Sequence, residues 1–179
     1  MTKEMHEVRA MAESPIGNLG PESLAFLYGV AHIDKNQGLV DEIDQYVLGQ
    51  SGPDGVALRT IMGLTMAEAF SDSYLTWRIP GDPPKDLQSK TTEWIVEGLT
   101  SEELTDQQRT LVKSVVINLL GRIAPGDSIL DEEHGEKIIE AGKITEEELV
   151  EHQQELIEHV QESAVKGLMR ELWGRVGEL

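Results

Sequence analysis

The sequence predicts an all-α protein, a multi-helix bundle of about seven to eight helices with a long amphipathic helix at its C-terminal end. Three observations predict this. Apolar residues recur at helical spacing between Pro and Gly breaks, and no stretch sustains the β-branched alternation of a strand. The aromatic fraction is only 4%, which leaves the core to Leu, Ile, Val, Met and Ala. The 179 residues are 39% apolar and 27% charged, with a mean hydropathy of -0.29. That is the composition of a globular chain, long enough for one domain with a proper core.

The elements follow in order. A short first helix is expected over residues 2–13, closed by a loop at 14–20. Pro21 then stands where a first helical residue would and opens PESLAFLYGVAHI. The next helix is expected over 40–48. The Gly- and Pro-containing segment 49–55 breaks the chain before a stretch that is apolar nearly all round and runs to Pro80, as expected of the buried centre of a bundle. A helix over 86–99 carries Trp94, and Thr100 with Glu103 has the spacing of a capping box for the next turn. LVKSVVINLLGRI is again apolar on most faces.

Residues 124–127, Ala-Pro-Gly-Asp, mark a change from core-rich to charge-rich sequence. They divide a helical core domain, residues 1–124, from an acidic helical extension, residues 125–179, expected to dock on the core as one domain. The extension holds a short helix over 131–141 and a long one opened by a second capping box, Thr145 with Glu148. Leu149, Leu156, Ile157, Val160, Ala164 and Leu168 fall on one face of it.

The charge narrows the function classes. There are 33 acids and 15 bases, a formal net charge of -18. Phosphate binding needs clustered Lys and Arg, so direct nucleic acid binding and anionic membranes are excluded as partners, while a basic protein surface is permitted. Half the net charge lies on residues 130–179, with fourteen acids against five bases. The absence of cysteine excludes disulfides, Cys-ligated zinc, iron–sulfur clusters and thiol catalysis. With no apolar leader segment and no run of about eighteen apolar residues, the chain is expected in the cytoplasm.

Three groups of residues are candidate sites. The first is an acidic stripe opposite the leucines of the last helix: Glu148, Glu151, Glu155, Glu158 and Glu162, with Trp173 near it on the wheel as an aromatic anchor. No Lys or Arg occurs between Ile144 and Val165. Like charges at i,i+4 cost roughly 0.2–0.5 kcal/mol per pair. Salt, a basic partner or a bound metal ion would offset that cost. Glu148 with His152 and Glu155 with His159 have the i,i+4 spacing that lets two side chains reach one ion. Against both stands the solvated face of a Glu-rich helix.

The second group is DKNQGLVDEID, residues 34–44. It resembles an EF-hand calcium loop, with Asp34 and Asn36 at the first two ligand positions, Gly38 at the sharp turn and Asp44 at the last ligand. The segment is one residue short before the glycine and carries Asp in place of the closing Glu. The competing reading is an Asx-type turn between two helices.

The third group is Glu68 with Asp72, an i,i+4 carboxylate pair on the most apolar helix. Such a pair can hold a divalent ion for hydrolysis. It is similar to the acidic helix pairs of the all-α nucleotide pyrophosphatases, although the chain lacks the several Glu-x-x-Glu and Glu-x-x-Asp turns arranged as that family arranges them. The structural alternative is pairing with a base, for which Arg59, Arg78, Lys113 and Arg122 are placed. Gly-rich phosphate loops, His-Glu-x-x-His, Gly-x-Ser-x-Gly and Glu-x-x-His do not occur.

The expected function is therefore that of a non-enzymatic acidic binding or assembly protein, an adaptor, regulatory or structural subunit that engages a basic protein surface. It needs no cofactor, and self-association stays open. One alternative is a divalent-metal-dependent all-α hydrolase using Glu68 and Asp72, with magnesium or calcium. Another is a nucleic-acid-mimicking inhibitor of a DNA- or RNA-binding protein.

Overall fold

Side-chain caps and prolines set where the helices begin, and apolar faces set how they pack. The computed structural model describes residues 16–70, 84–122 and 129–151. Among them there is no strand. A 3-10 turn, Ile16–Asn18, precedes α1 (Pro21–Ile33), α2 (Gln37–Leu48), α3 (Gly52–Ala69), α4 (Lys85–Thr100), α5 (Asp106–Arg122) and α6 (Glu132–Gly142). Residues 146–151 open a further helix, α7. The helix expected over 2–13, the boundary at 124–127 and the leucine face beyond Leu149 lie outside the described residues.

Pro21 opens α1 as expected, and Leu24, Leu27, Tyr28 and Ala31 form its buried face. The helix closes in a Schellman motif. The Lys35 N–H donates to His32 O and the Asn36 N–H to Ala31 O, with Lys35 in the left-handed region at φ 55°. Asn36 then caps α2, its side-chain oxygen accepting from the Leu39 N–H at 3.2 Å. That cap starts α2 three residues earlier than the apolar pattern does, at Gln37 and not near Val40.

The break expected over 49–55 is shorter than the composition suggests. Ser51 is the N-cap, and Gly52 and Pro53 already belong to the first turn of α3, where a missing proline N–H costs nothing. From Gly55 to Ala67 only Arg59 escapes full burial. The central position expected for this helix is what the contacts show. Its most extensive packing is against α4, followed by α1, and α6 lies on the other side of α4. The described helix ends at Ala69, and residues 71–83 of the long apolar stretch are outside the described ones.

Close approach of α3 and α4 depends on Gly98. A Cβ there would stand 2.4 Å from the Thr60 side chain. Arg59 fastens three helix segments at once. Its Nε and Nη2 donate to the two Glu97 carboxylate oxygens, both at 2.8 Å, and its Nη1 donates to the Val47 and Gln50 carbonyls at the end of α2. A guanidinium fork matches a carboxylate and still leaves donors for orphan carbonyls, which an ammonium cannot do.

The connection into α5 corrects one expectation. Thr100 is the last residue of α4 and its hydroxyl donates back to Val96 O. The reciprocal box is formed by Thr105 with Gln108: the Thr105 N–H donates to Gln108 Oε1 at 2.9 Å, and the Gln108 N–H to Thr105 Oγ1 at 3.2 Å. The box expected at Thr145 is present, with the Thr145 N–H donating to Glu148 Oε2 at 2.8 Å and the Glu148 N–H to Thr145 Oγ1 at 3.2 Å.

Ile129, Leu130, Ile138 and Ile144 share one hydrophobic cluster with Leu64 and Trp94, and Leu149 packs against it. The described helices therefore form one all-α bundle around α3 and α4. Among the described residues no helix is long and apolar enough to cross a membrane.

Candidate functional site

Tyr28 and His32 are one helical turn apart on α1, so their rings stack along one face. The rings meet edge to face, 4.6 Å between centroids, and Tyr28 also leans on Trp94 of α4 at 5.3 Å. Tyr28 is fully buried. Its hydroxyl donates to Asp44 Oδ1 of α2 at 2.7 Å. Burial first, and then the bond to the Asp44 carboxylate, push the phenol well above its ordinary value, so it stays protonated and remains the donor.

Above these rings a recess of about 330 Å³ opens between α1, α2 and α4. Helix α2 contributes Gln37, Val40 and Asp44, and α4 contributes Asp86, Ser89, Lys90 and Glu93. This volume is at the lower end of the range for small-molecule sites, roughly 300–1,000 Å³. Some of the wall donors already have partners. Tyr28 is bound to Asp44, the Gln37 amide nitrogen donates to Asp41 at 2.7 Å, and Lys90 pairs with Glu93 at 3.6 Å.

The acceptors are not spent. His32 Nε2 is buried and has no hydrogen-bond partner. Burial lowers the His32 pKa from 6.5, opposed by the nearby Asp44 and Asp86 carboxylates and reinforced by Lys90. The ring is therefore neutral at pH 7. Asp86, in the first turn of α4, forms no hydrogen bond or ion pair among the described residues. The recess is thus lined by the carboxylates of Asp44, Asp86 and Glu93 and by the ammonium of Lys90.

The residues expected from sequence fall elsewhere, with one exception. Asn36 is committed to capping α2, Asp34 is the exposed C-cap of α1, and Asp44 enters the recess. Asp44 lies eight residues beyond Asn36, about 12 Å along a helix axis at 1.5 Å per residue, so the segment is a Schellman turn followed by a helix and the three side chains do not converge. Among the described residues no three His, Asp or Glu side chains are grouped so as to hold a metal ion.

Glu68 sits half-buried in the last turn of α3, and its partner Asp72 is outside the described residues. Of the bases placed to pair with it, Arg59 is taken by Glu97 and Lys113 by Glu148 at 3.2 Å. In the acidic stripe, Glu148 closes the Thr145 box and pairs with Lys113, while Glu151 is exposed. The Glu148 carboxyl is held below the usual range first by the Thr145 N–H and then by Lys113. His152, Glu155, Glu158, His159, Glu162 and Trp173 lie outside the described residues.

Sequence reasoning missed Tyr28, His32 and the Asp86–Lys90–Glu93 row. Two signals were present: a Tyr-x-x-x-His pair on an apolar helix, and polar residues at i, i+4 and i+7 on one side of α4. That the two rows face each other is a tertiary fact. Compared with protein-family models, curated proteins and solved structures, the chain matches none.

Proposed function

We propose that the protein is a non-enzymatic, acidic helical binding protein that engages a basic surface of another protein. The observation that supports this is how its charge is spent. Arg59, Lys90, Arg109, Lys113 and Lys137 are each drawn into an internal ion pair. Glu22, Asp41, Glu42, Asp86, Glu132, Glu136, Glu146, Glu147 and Glu151 remain exposed. The outward field is therefore negative over the described bundle, and such a field steers and holds a cationic partner.

Fluorescence anisotropy with labelled peptides of one length tests this. An arginine-rich peptide is expected to bind, and glutamate-rich and uncharged peptides are not. Equal affinity for all three, or no binding of the arginine-rich peptide, would overturn the proposal.

A further inference from the structure

We propose that one face of α5, the stripe Lys113–Ile117–Leu120, is a docking seat for the C-terminal residues 152–179 of the same chain. Lys113, Ile117 and Leu120 stand at i, i+4 and i+7 and so share one side of the helix. Val112, Val115, Val116 and Leu119 lie on a different side, about a third of a turn round, and all four are buried. Among the described helices only α4 packs extensively on α5, and one neighbour covers one side of a helix. Ile117 is nevertheless buried, and Leu120 is partly buried against the same cluster. The second side therefore calls for a cover of its own.

Three observations name the occupant. The chain itself arrives at this face: Lys113 Nζ pairs with Glu148 at 3.2 Å and donates to the Lys143 carbonyl at 3.3 Å, which sets the start of α7 beside α5, one turn from Ile117. The register of that start is also fixed. Leu149 packs against the cluster that contains Ile117, while Glu151 is exposed, and at helical spacing the side of Leu149 continues into Leu156, Ile157, Val160 and Ala164. The length suffices as well. The 28 residues from 152 to 179 reach roughly 42 Å as a helix at 1.5 Å per residue, more than the 17 residues of α5 require.

A second copy of the chain has no such tether, whereas a segment joined at Glu151 meets the seat at an effective concentration in the mM range. Seated on Leu149 and its continuation, the segment directs Glu151, Glu155, Glu158 and Glu162 away from α5. The stripe then joins the outward acidic surface proposed above, although the seat itself does not depend on that proposal.

The test is methyl NMR of the full chain, with nuclear Overhauser cross-peaks from the Ile117 and Leu120 methyls as the readout. Cross-peaks to at least one of Leu156, Ile157 and Val160 are expected. Leu156→Asp with Val160→Asp, both outside the described bundle, is expected to abolish them and to shift the Ile117 methyl resonance, while the methyls of Leu24 and Val40 stay in place. Cross-peaks seen only between differently labelled copies in a mixed sample would overturn the proposal in favour of self-association. Cross-peaks to residues 1–15 or to another segment in place of 152–179, or an Ile117 methyl unmoved by the double substitution, would overturn it too. Peptide binding is measured separately. Docking without binding of the arginine-rich peptide would keep the seat and reject the basic partner, and binding without docking would do the reverse.

Discussion

His32 carries a pH signature whose sign follows from its burial. The folded protein holds the imidazole neutral because desolvation lowers its pKa, whereas the unfolded chain protonates it at about the ordinary 6.5. Below that value the unfolded state binds more protons, so this contribution to stability is complete above about pH 6.5 and is lost as the pH falls beneath it. His32→Phe is expected to flatten the dependence of the melting temperature between about pH 7 and 5. An unchanged slope in the variant would mean that His32 is equally solvated in both states. Gly98 gives a second residue-level expectation. With the Thr60 side chain 2.4 Å from a would-be Cβ, Gly98→Ala should destabilise the protein by about 1–3 kcal/mol in a urea titration, as overpacking does.

At the scale of the element, helix ends account for much of the local order. Two lysines, Lys35 and Lys143, occupy left-handed positions at φ 55° and 49°, each closing a helix through the same pair of backbone bonds. A side chain there costs roughly 1–2 kcal/mol relative to glycine. Lys35→Gly, which removes no ion pair found among the described residues, is expected to raise stability by about 1 kcal/mol. Asp131 caps α6 by accepting from the His134 N–H at 2.9 Å, and that bond is the main cause of its lowered pKa. Its contribution is therefore present above the ordinary carboxylate range and is lost in acid as the pH falls through the lowered value. Asp131→Ala should cost about 1 kcal/mol near neutrality, with the difference closing at low pH.

Elements were legible where the chain states its own boundary. Pro21 announces α1, and Thr145 with Glu148 announces α7, because those signals act within four residues. The box at Thr105 was obscured because Gln108 does the work that Glu does at 148. The loop at 34–38 was ambiguous for a physical reason: Asn and Gly serve a turn, a cap and a calcium loop alike, and only the backbone path separates them. The recess was illegible because Tyr28, Asp44 and Asp86 come from three helices, and no periodicity within one helix reports what faces it.

Across the whole molecule, the core and the charge are arranged together. Helices α3 and α4 are buried on most sides by α1, α2, α5 and α6, so acids are displaced to the outer faces. Five of the bases that accompany them, Arg59, Lys90, Arg109, Lys113 and Lys137, sit in ion pairs, while Lys35, Lys85 and Lys143 are exposed. Arg59 is the clearest fastener, joining α2, α3 and α4, and Arg59→Lys should lower stability by about 1–3 kcal/mol because the three N–H groups of one ammonium cannot reproduce the four bonds to Glu97, Val47 and Gln50. Fastening with arginine and lysine leaves the exterior with unbalanced carboxylates, which is the property the proposed binding role uses.

That role is tested most directly by the salt dependence of binding to the arginine-rich peptide. Raising the ionic strength from about 0.05 to 0.5 M shortens the screening length severalfold, so the affinity is expected to fall at least tenfold, and steadily, across the series. An affinity that stays constant over this range would show that the contact is not made by the acidic surface and would contradict the account.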